Sequence, residues 1–223
     1  MQIVNEIHEL NKAIALLSTS TIGFVPTMGS LHEGHCSLIK DSKKKTNFTI
    51  VSIFINPTQF NNKYDLENYP VNLEQDLFIL NNEEVDLVFC PNFQSLYSNE
   101  KTPNISLEKF DKVLEGKERK GHFEGVIRVL NIFFNLINPN FAFFGEKDYQ
   151  QYLIVKYFAN NLYPEIKIIP GPTQREQNGL ALSSRNSRLS AEDFEKSKEI
   201  FKVLTFCKNN FKFNKRKELE KTC

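Results

Sequence analysis

The sequence predicts an α/β fold, a Rossmann-like parallel sheet with helices on both faces. Short apolar runs of strand length alternate with segments of helical period along the 223 residues. Those runs are continuously apolar rather than alternating, as strands covered on both faces must be. The segments richest in Gly, His and Arg begin where such a run ends or open the helix that follows. That is where open parallel sheets bind ligands.

The elements follow in order. Met1 to Leu17, with Glu6, Glu9 and Lys12 among apolar residues, reads as an amphipathic helix rather than a signal peptide. Thr21 to Val25 reads as a strand, followed by a loop and a helix from about Gly34 to Lys45. Phe48 to Ile55 is the strongest strand, β-branched and closed by Asn56-Pro57. After an Asn-rich loop, Leu73 to Asn82 is helical and Val85 to Phe89 is a short strand. Ile105 to Leu107 is expected as a strand and Leu107 to Leu114 as a helix. Phe123 to Ile137 is apolar on most sides and so predicts a buried helix. Phe141 to Phe144 is a strand, Tyr149 to Asn160 a helix, and Ile166 to Ile169 a strand closed by Pro170-Gly171-Pro172. The last helix runs from Ala191 to Asn209 with Ser190 as its N-cap. The basic stretch from Lys208 to Cys223 has little to bury and is expected to pack poorly.

Composition narrows the function classes. With 28 Lys and Arg against 27 Asp and Glu, the net charge is +1. No basic excess marks a nucleic-acid binder. No apolar run reaches the ~18 residues of a membrane span. Cys36, Cys90, Cys207 and Cys223 form no CxxC pair and read as free thiols in a cytoplasmic protein.

Five segments carry chemistry. In Phe24-Val-Pro-Thr-Met-Gly-Ser-Leu-His32-Glu-Gly-His35, a strand ends and two imidazoles flank Gly34 at a helix start. Backbone N–H groups there favour a phosphate. Zinc is a poorer match, since HEGH is not HExxH and His8 and His122 complete no ligand set. In Asn56-Pro-Thr-Gln59, neutral amides follow the strongest strand and can read the hydroxyl and carboxylate of a small acid. The Arg119-Lys-Gly-His122-Phe-Glu-Gly125 segment leads into the buried helix. In Gly145-Glu146-Lys147-Asp148-Tyr-Gln-Gln151, Lys147 stands at a strand-to-helix junction suited to phosphate, and Gln151 lies one turn on. In Gly179-Leu-Ala-Leu182-Ser183-Ser184-Arg185-Asn186, two hydroxyls and a guanidinium make a compact anion clamp.

The set FVPTMGSLHEGH, SIFINPTQF, GHFEGV, FGEKDYQQ and GLALSSRN, in this order, resembles the pantothenate synthetase (pantoate–β-alanine ligase) family over about residues 20–190. The resemblance implies an AMP-forming ligase. ATP adenylates the pantoate carboxylate, pyrophosphate leaves, and β-alanine attacks the acyl adenylate. It also implies a homodimer, Mg²⁺, and a smaller carboxy-terminal domain beside the Rossmann-type one. Carried onto matching positions, it assigns ATP to Met28, Gly29, Ser30, Leu31, His32, Glu33, Gly34 and His35. Gly145, Glu146, Lys147, Asp148, Leu182, Ser183, Ser184 and Arg185 complete that site. His35 takes the role of proton donor, with His32 and Lys147 on phosphate as its catalytic partners. Gln59 and Gln151 hold pantoate, Gln59 also lying near β-alanine, Asn56 supports the pantoate pocket, and Asp76 is the Mg²⁺-associated carboxylate.

Lys120, Arg128 and Asn178 depart from the family's usual residues, and Arg128 on a buried helix needs a partner or a route to water. The expected domains are 1–186, binding ATP and pantoate, and 187–223, a remnant or truncated start of a lid. A short lid carries the expectation that adenylate leaks to water, seen as more AMP than pantothenate formed. The alternatives are a related HxGH nucleotidyltransferase acting on a phosphorylated acceptor, and a degenerate nucleotide-binding copy without ligase activity.

Overall fold

The computed structural model describes residues 1–17, 20–98 and 100–211. Among them, six strands form one sheet: β1 Gln2–Val4, β2 Ile22–Thr27, β3 Phe48–Ile53, β4 Leu87–Phe89, β5 Phe141–Gly145 and β6 Lys167–Gly171. Their order is β1-β4-β3-β2-β5-β6, and every neighbouring pair is parallel. The helices are α1 Ile7–Ala15, α2 Glu33–Lys45, α3 Lys63–Glu67, α4 Leu73–Asn82 and α5 Phe93–Tyr97. They continue as α6 Glu108–Asp111, α7 Leu114–Glu118, α8 His122–Ile137, α9 Tyr149–Leu162 and α10 Ala191–Asn210.

The period of two along each strand divides the core. Phe24, Ile50, Leu87, Phe89, Ala142 and Phe144 join the cluster supplied by α1, α8 and α9. Val25, Val51, Val88 and Phe143 join the one supplied by α2 and α4. This two-sided burial explains why the strand runs are continuously apolar. After β2 the chain builds β3 and β4 on one side, then returns to place β5 on the other. The topological switch point therefore lies between the carboxyl ends of β2 and β5.

Three expectations need correction. Met1 to Leu17 is not one helix: β1 pairs with β4, and α1 starts only after Glu6. Glu9 Oε2 accepts the N–H groups of Asn5 (3.1 Å) and Glu6 (3.2 Å), which caps the helix there. Ile105–Leu107 is not a strand, because β1 and β6 form the sheet edges and no strand lies beside it among the described residues. The helix expected over Leu107–Leu114 is broken into α6 and α7. Gln150 reaches from α9 and donates to the carbonyls of Phe110 and Val113, both at 3.0 Å, so these groups need no continuing helix. The basic stretch Lys208–Cys223 lies mostly outside the described residues, as does Cys223; Cys36 and Cys90 are free thiols.

Arg128 has its partner. Its Nε donates to Glu100 Oε1 at 2.6 Å and its Nη2 to Oε2, while the guanidinium stands 5.6 Å from the Tyr97 ring. The Glu100 side chain is only 10% exposed, so removing the arginine strands a mostly buried carboxylate. We expect Arg128→Ala to cost about 1–3 kcal/mol in urea unfolding. Adding Glu100→Gln should recover part of that loss in a double-mutant cycle, and strict additivity would refute the coupling.

Candidate active site at the switch point

The turn after β2 carries the first group of residues. Thr27 Oγ1 donates to the Ser52 carbonyl (2.7 Å) and accepts from Gly29 N (3.2 Å), starting the turn at a fixed angle. Gly29 and Ser30 then take φ of 78° and 51°. A non-glycine residue in the left-handed region is held there by its surroundings. The holder is Asp76 at the start of α4, 2% exposed, whose two oxygens accept Ser30 N (2.8 Å) and Leu31 N (2.7 Å).

His32 caps α2. Its Nδ1 accepts from Gly34 N at 3.1 Å, and His35 Nδ1 accepts from His32 N at 3.2 Å. The rings lie with centroids 4.1 Å apart, tilted by 34°. A Cβ on residue 34 would stand 2.8 Å from the His32 ring, so only glycine lets that ring fold back. An Nδ1 that accepts a backbone N–H must be deprotonated, so each neutral ring carries its proton on Nε2. Among the described residues neither Nε2 has a protein partner, and both rings line the cleft. Burial and the nearby Lys147 charge hold His32 below the usual imidazole range. Burial, His32 and Lys147 push His35 down to about 3. Both are neutral hydrogen-bond donors at neutral pH.

A second group is locked by α8. Asn56 Nδ2 donates to Gln59 Oε1 (3.1 Å) and to the Gly125 carbonyl (3.0 Å). Its Oδ1 accepts from Thr58 N (3.3 Å), Thr58 Oγ1 (2.9 Å) and the Tyr97 hydroxyl (2.8 Å). A Cβ at Gly125 would meet the Thr58 carbonyl oxygen at 2.3 Å, so α8 presses its first turn directly onto this segment. His122, the first residue of α8, closes the lock with Nδ1 2.8 Å from the Gln59 carbonyl. Gln59 Nε2 donates to Met28 Sδ at 3.0 Å, tying the two groups together.

A third group comes from β5 and the chain after β6. Lys147, at the β5–α9 junction, stands 3.4 Å from the Asp148 carboxylate. Gln151 follows in the first turn of α9. Ser184 Oγ donates to the Ser30 carbonyl (2.9 Å), pinning the Ser183–Arg188 turn over the β2 loop. The Arg185 guanidinium forks onto Asp65 at 3.1 and 2.7 Å and lies 5.2 Å from the Tyr69 ring. That fork keeps Asp65 below the usual carboxylate range.

The three groups surround one cleft of about 250 Å³ at the carboxyl ends of β2 and β5. Met28, His32, Gly34, His35, Asn56, Gln59, Gly145, Lys147, Asp148, Gln151, Leu182, Ser183, Ser184 and Arg185 all line it. Gly29, Ser30, Leu31, Glu33 and Glu146 do not: Ser30 and Leu31 are turned to Asp76, and Glu33 pairs with Lys40 at 2.9 Å. Asn56 lines the cleft, but its polar atoms are engaged within the protein, so it positions Gln59. Asp76 is engaged with the backbone of the β2 loop. It lies outside the cleft wall with both oxygens on backbone amides.

Arg119 and His122, which the sequence singles out without giving them a place in the site, both line the cleft. Tyr69 and Gln174 stand on its wall with no motif to announce them. The glycine spacing of the His122–Gly125 segment was the available signal. The apolar wall of Phe54, Val126, Leu130 and Phe133 was hidden because its residues look like core in any sequence. Of the departures, Lys120 is exposed, and Asn178 Oδ1 accepts Leu180 N at 3.0 Å while its Nδ2 is buried without a partner among the described residues.

Fold and cleft define an α/β enzyme of the Rossmann-like class, with a donor-lined crevice suited to a nucleotide and a small acid. The model of the family described as pantoate-beta-alanine ligase matches residues 2–223. A pantothenate synthetase of Buchnera aphidicola subsp. Acyrthosiphon pisum (strain 5A) is 48% identical over 208 residues, covering 92% of this chain and 73% of that protein. The crystal structure of pantothenate synthetase from Thermus thermophilus superposes with a TM-score of 0.86 at 39% identity, covering 92% of this chain and 74% of that one. That of the Francisella tularensis pantoate-beta-alanine ligase, complexed with beta-gamma ATP and beta-alanine, gives 0.86 at 38%, covering 100% and 86%. The chain belongs to the pantoate–β-alanine ligase family, and it is an ATP-dependent ligase of pantoate and β-alanine.

The depressed value at His35 has a thermodynamic sign. Above pH ~6.5 the imidazole is neutral in both folded and unfolded chains. Below it the unfolded chain takes up a proton that the folded ring refuses, so this contribution to stability is lost as pH falls towards about 3. Between pH 7 and 5, wild type should lose more stability in urea unfolding than His35→Asn. Equal losses would place His35 in water. Gly125→Ala should destabilise by about 1–3 kcal/mol through overpacking against Thr58. It should also raise the pantoate KM, and a variant with unchanged KM would uncouple α8 from the Gln59 turn.

Proposed function

We propose that the cleft between β2 and β5 carries both half-reactions, with the roles that follow. The observation that carries the reading is the convergence of His32, His35, Lys147, Gln59, Gln151 and Arg185, drawn from distant parts of the chain, on one cleft. The phosphates of ATP lie against the Nε2–H groups of His32 and His35, Lys147 and the Ser183–Arg185 turn. Pantoate lies deeper, its carboxylate and hydroxyls reading Gln59 and Gln151, its methyl groups against Phe54, Val126, Leu130 and Phe133.

In the first step a carboxylate oxygen attacks the α-phosphorus and pyrophosphate leaves with the electron pair of the broken P–O bond. Two anions meet, and negative charge builds on the transferring group. Preorganised donors lower that barrier without having to rotate into place. His35 works here as a neutral N–H donor, because a ring pushed down to about 3 is not an imidazolium at neutral pH. In the second step the amine of β-alanine attacks the acyl carbon and AMP departs. The bound β-alanine of the Francisella enzyme supports placing this step in the same cleft.

Mg²⁺ rests on the family resemblance alone. Asp76 is committed to the Ser30–Leu31 backbone, and no step here runs through the metal. The homodimer also rests on the resemblance, and the cytoplasmic setting on it together with the free thiols. Division into a binding unit, 1–186, and a carboxy-terminal unit from 187 is supported by α10, which buries none of its residues.

Pantoate-dependent exchange of pyrophosphate into ATP tests the first half-reaction directly, and its absence in wild type would sink the reading. We expect His35→Ala and Lys147→Ala each to keep the circular-dichroism spectrum of wild type but to lower exchange and ligation at least ~100-fold, the scale of one lost transition-state donor. Near-normal turnover in either variant would remove that residue from the mechanism.

A further inference from the structure

We propose that His122 is the group that receives the proton of the attacking β-alanine nitrogen in the second half-reaction. The inference rests on the ligase reading above and adds to it a residue and a step.

The three imidazoles of the cleft are not equivalent, and the backbone decides how each one differs. His32 and His35 each accept a backbone N–H at Nδ1, so each presents an N–H to the cleft. His122 is wired the other way. Its Nδ1 lies 2.8 Å from the carbonyl oxygen of Gln59, an atom that can only accept. Nδ1 must therefore carry the proton, and Nε2 is left with a lone pair. The residue is 5% exposed and lines the cleft, and no described residue donates to Nε2. One side of the crevice holds two donors suited to phosphate, and the Gln59 side holds an imidazole acceptor.

Other cleft groups are poorer proton acceptors. Gln59 Oε1 already takes a hydrogen bond from Asn56, and Asp148 pairs with Lys147. Amide oxygens take up no proton near neutral pH. His122 sits at the N-terminus of α8, whose dipole disfavours imidazolium. Burial foremost, with Arg119, lowers its value, against the Gln59 carbonyl, Asp148 and Glu115, which raise it. The ring is thus neutral and ready to accept at neutral pH.

The step balances as follows. β-Alanine leaves one ammonium proton in water as it enters. The nitrogen lone pair forms the C–N bond to the acyl carbon. Forming that bond makes the remaining N–H acidic, and one such proton passes to His122 Nε2. The acyl C–O bond to the phosphate breaks, and AMP leaves with the electron pair. The imidazolium returns its proton to water at the cleft mouth, leaving amide, AMP and a restored ring.

His122→Asn is the informative variant, because the asparagine Nδ2 can keep the bond to the Gln59 carbonyl while the second nitrogen is gone. Pantoate-dependent ATP–pyrophosphate exchange should stay within about threefold of wild type. Pantothenate formation should fall at least ~50-fold, with acyl adenylate accumulating on the enzyme in a single turnover. Started from preformed adenylate, the wild-type rate should show one more proton's dependence on the acid side, below the ordinary imidazole range, than the variant, beyond the amine titration of β-alanine that both share. His122→Gln should show the same split if His122→Asn proves too unstable to purify. Ligation within threefold of wild type overturns the proposal, as does a parallel loss of exchange and ligation in both variants, which would mark a packing role. Loss of exchange in wild type would instead overturn the ligase reading itself.

Discussion

A buried carboxylate holds the turn on which the chemistry rests. Asp76 lies in the first turn of α4, far from the β2 loop in sequence, and its two oxygens take the N–H groups of Ser30 and Leu31. Those amides belong to a turn with two successive residues at positive φ, where the loop would not stay unaided. With them fixed, His32 enters α2 as its cap, its ring folds over Gly34, and the His35 ring lies tilted against it. Ser184 then docks on the Ser30 carbonyl and brings Arg185 to the same rim. An unpartnered carboxylate at 2% exposure would be costly. The bond is therefore both a satisfied buried charge and the brace of the site.

Backbone hydrogen bonds also set the proton positions in the cleft. An imidazole free in water exchanges its tautomers, and its surroundings must choose one. Here two rings face amide N–H groups and one faces a carbonyl, so the cleft has donors on its anion side and an acceptor on its Gln59 side. The second lock works by shape. Gly125 leaves no room between α8 and the Thr58 carbonyl, and Asn56 bridges the two. The amide of Gln59 and the ring of His122 are therefore held by the same packed contact.

The fold was readable because burial on both faces leaves a pattern no local rule can imitate. The central strands and α2, α4, α8, α9 and α10 lie within a few residues of their expected bounds. Two of the three failures are of one kind. At β1, and at the break between α6 and α7, a partner distant in sequence took the backbone groups: β4 in one case, Gln150 in the other. Helical period in a short segment carries no information about such a partner.

The sequence by itself determined the class of sheet, the five motif segments and the family they resemble, because strand burial, glycine placement and the HEGH and SSRN spacings are local properties of the chain. Only the tertiary structure decided which of those residues face the cleft and in what protonation state. It showed Asp76 bracing the β2 loop, Asn56 tying Gln59 to α8, and His122 with its Nδ1 on the Gln59 carbonyl. The reason is physical: a polar side chain's role depends on which partners have already taken its atoms, and those partners come from other elements of the fold.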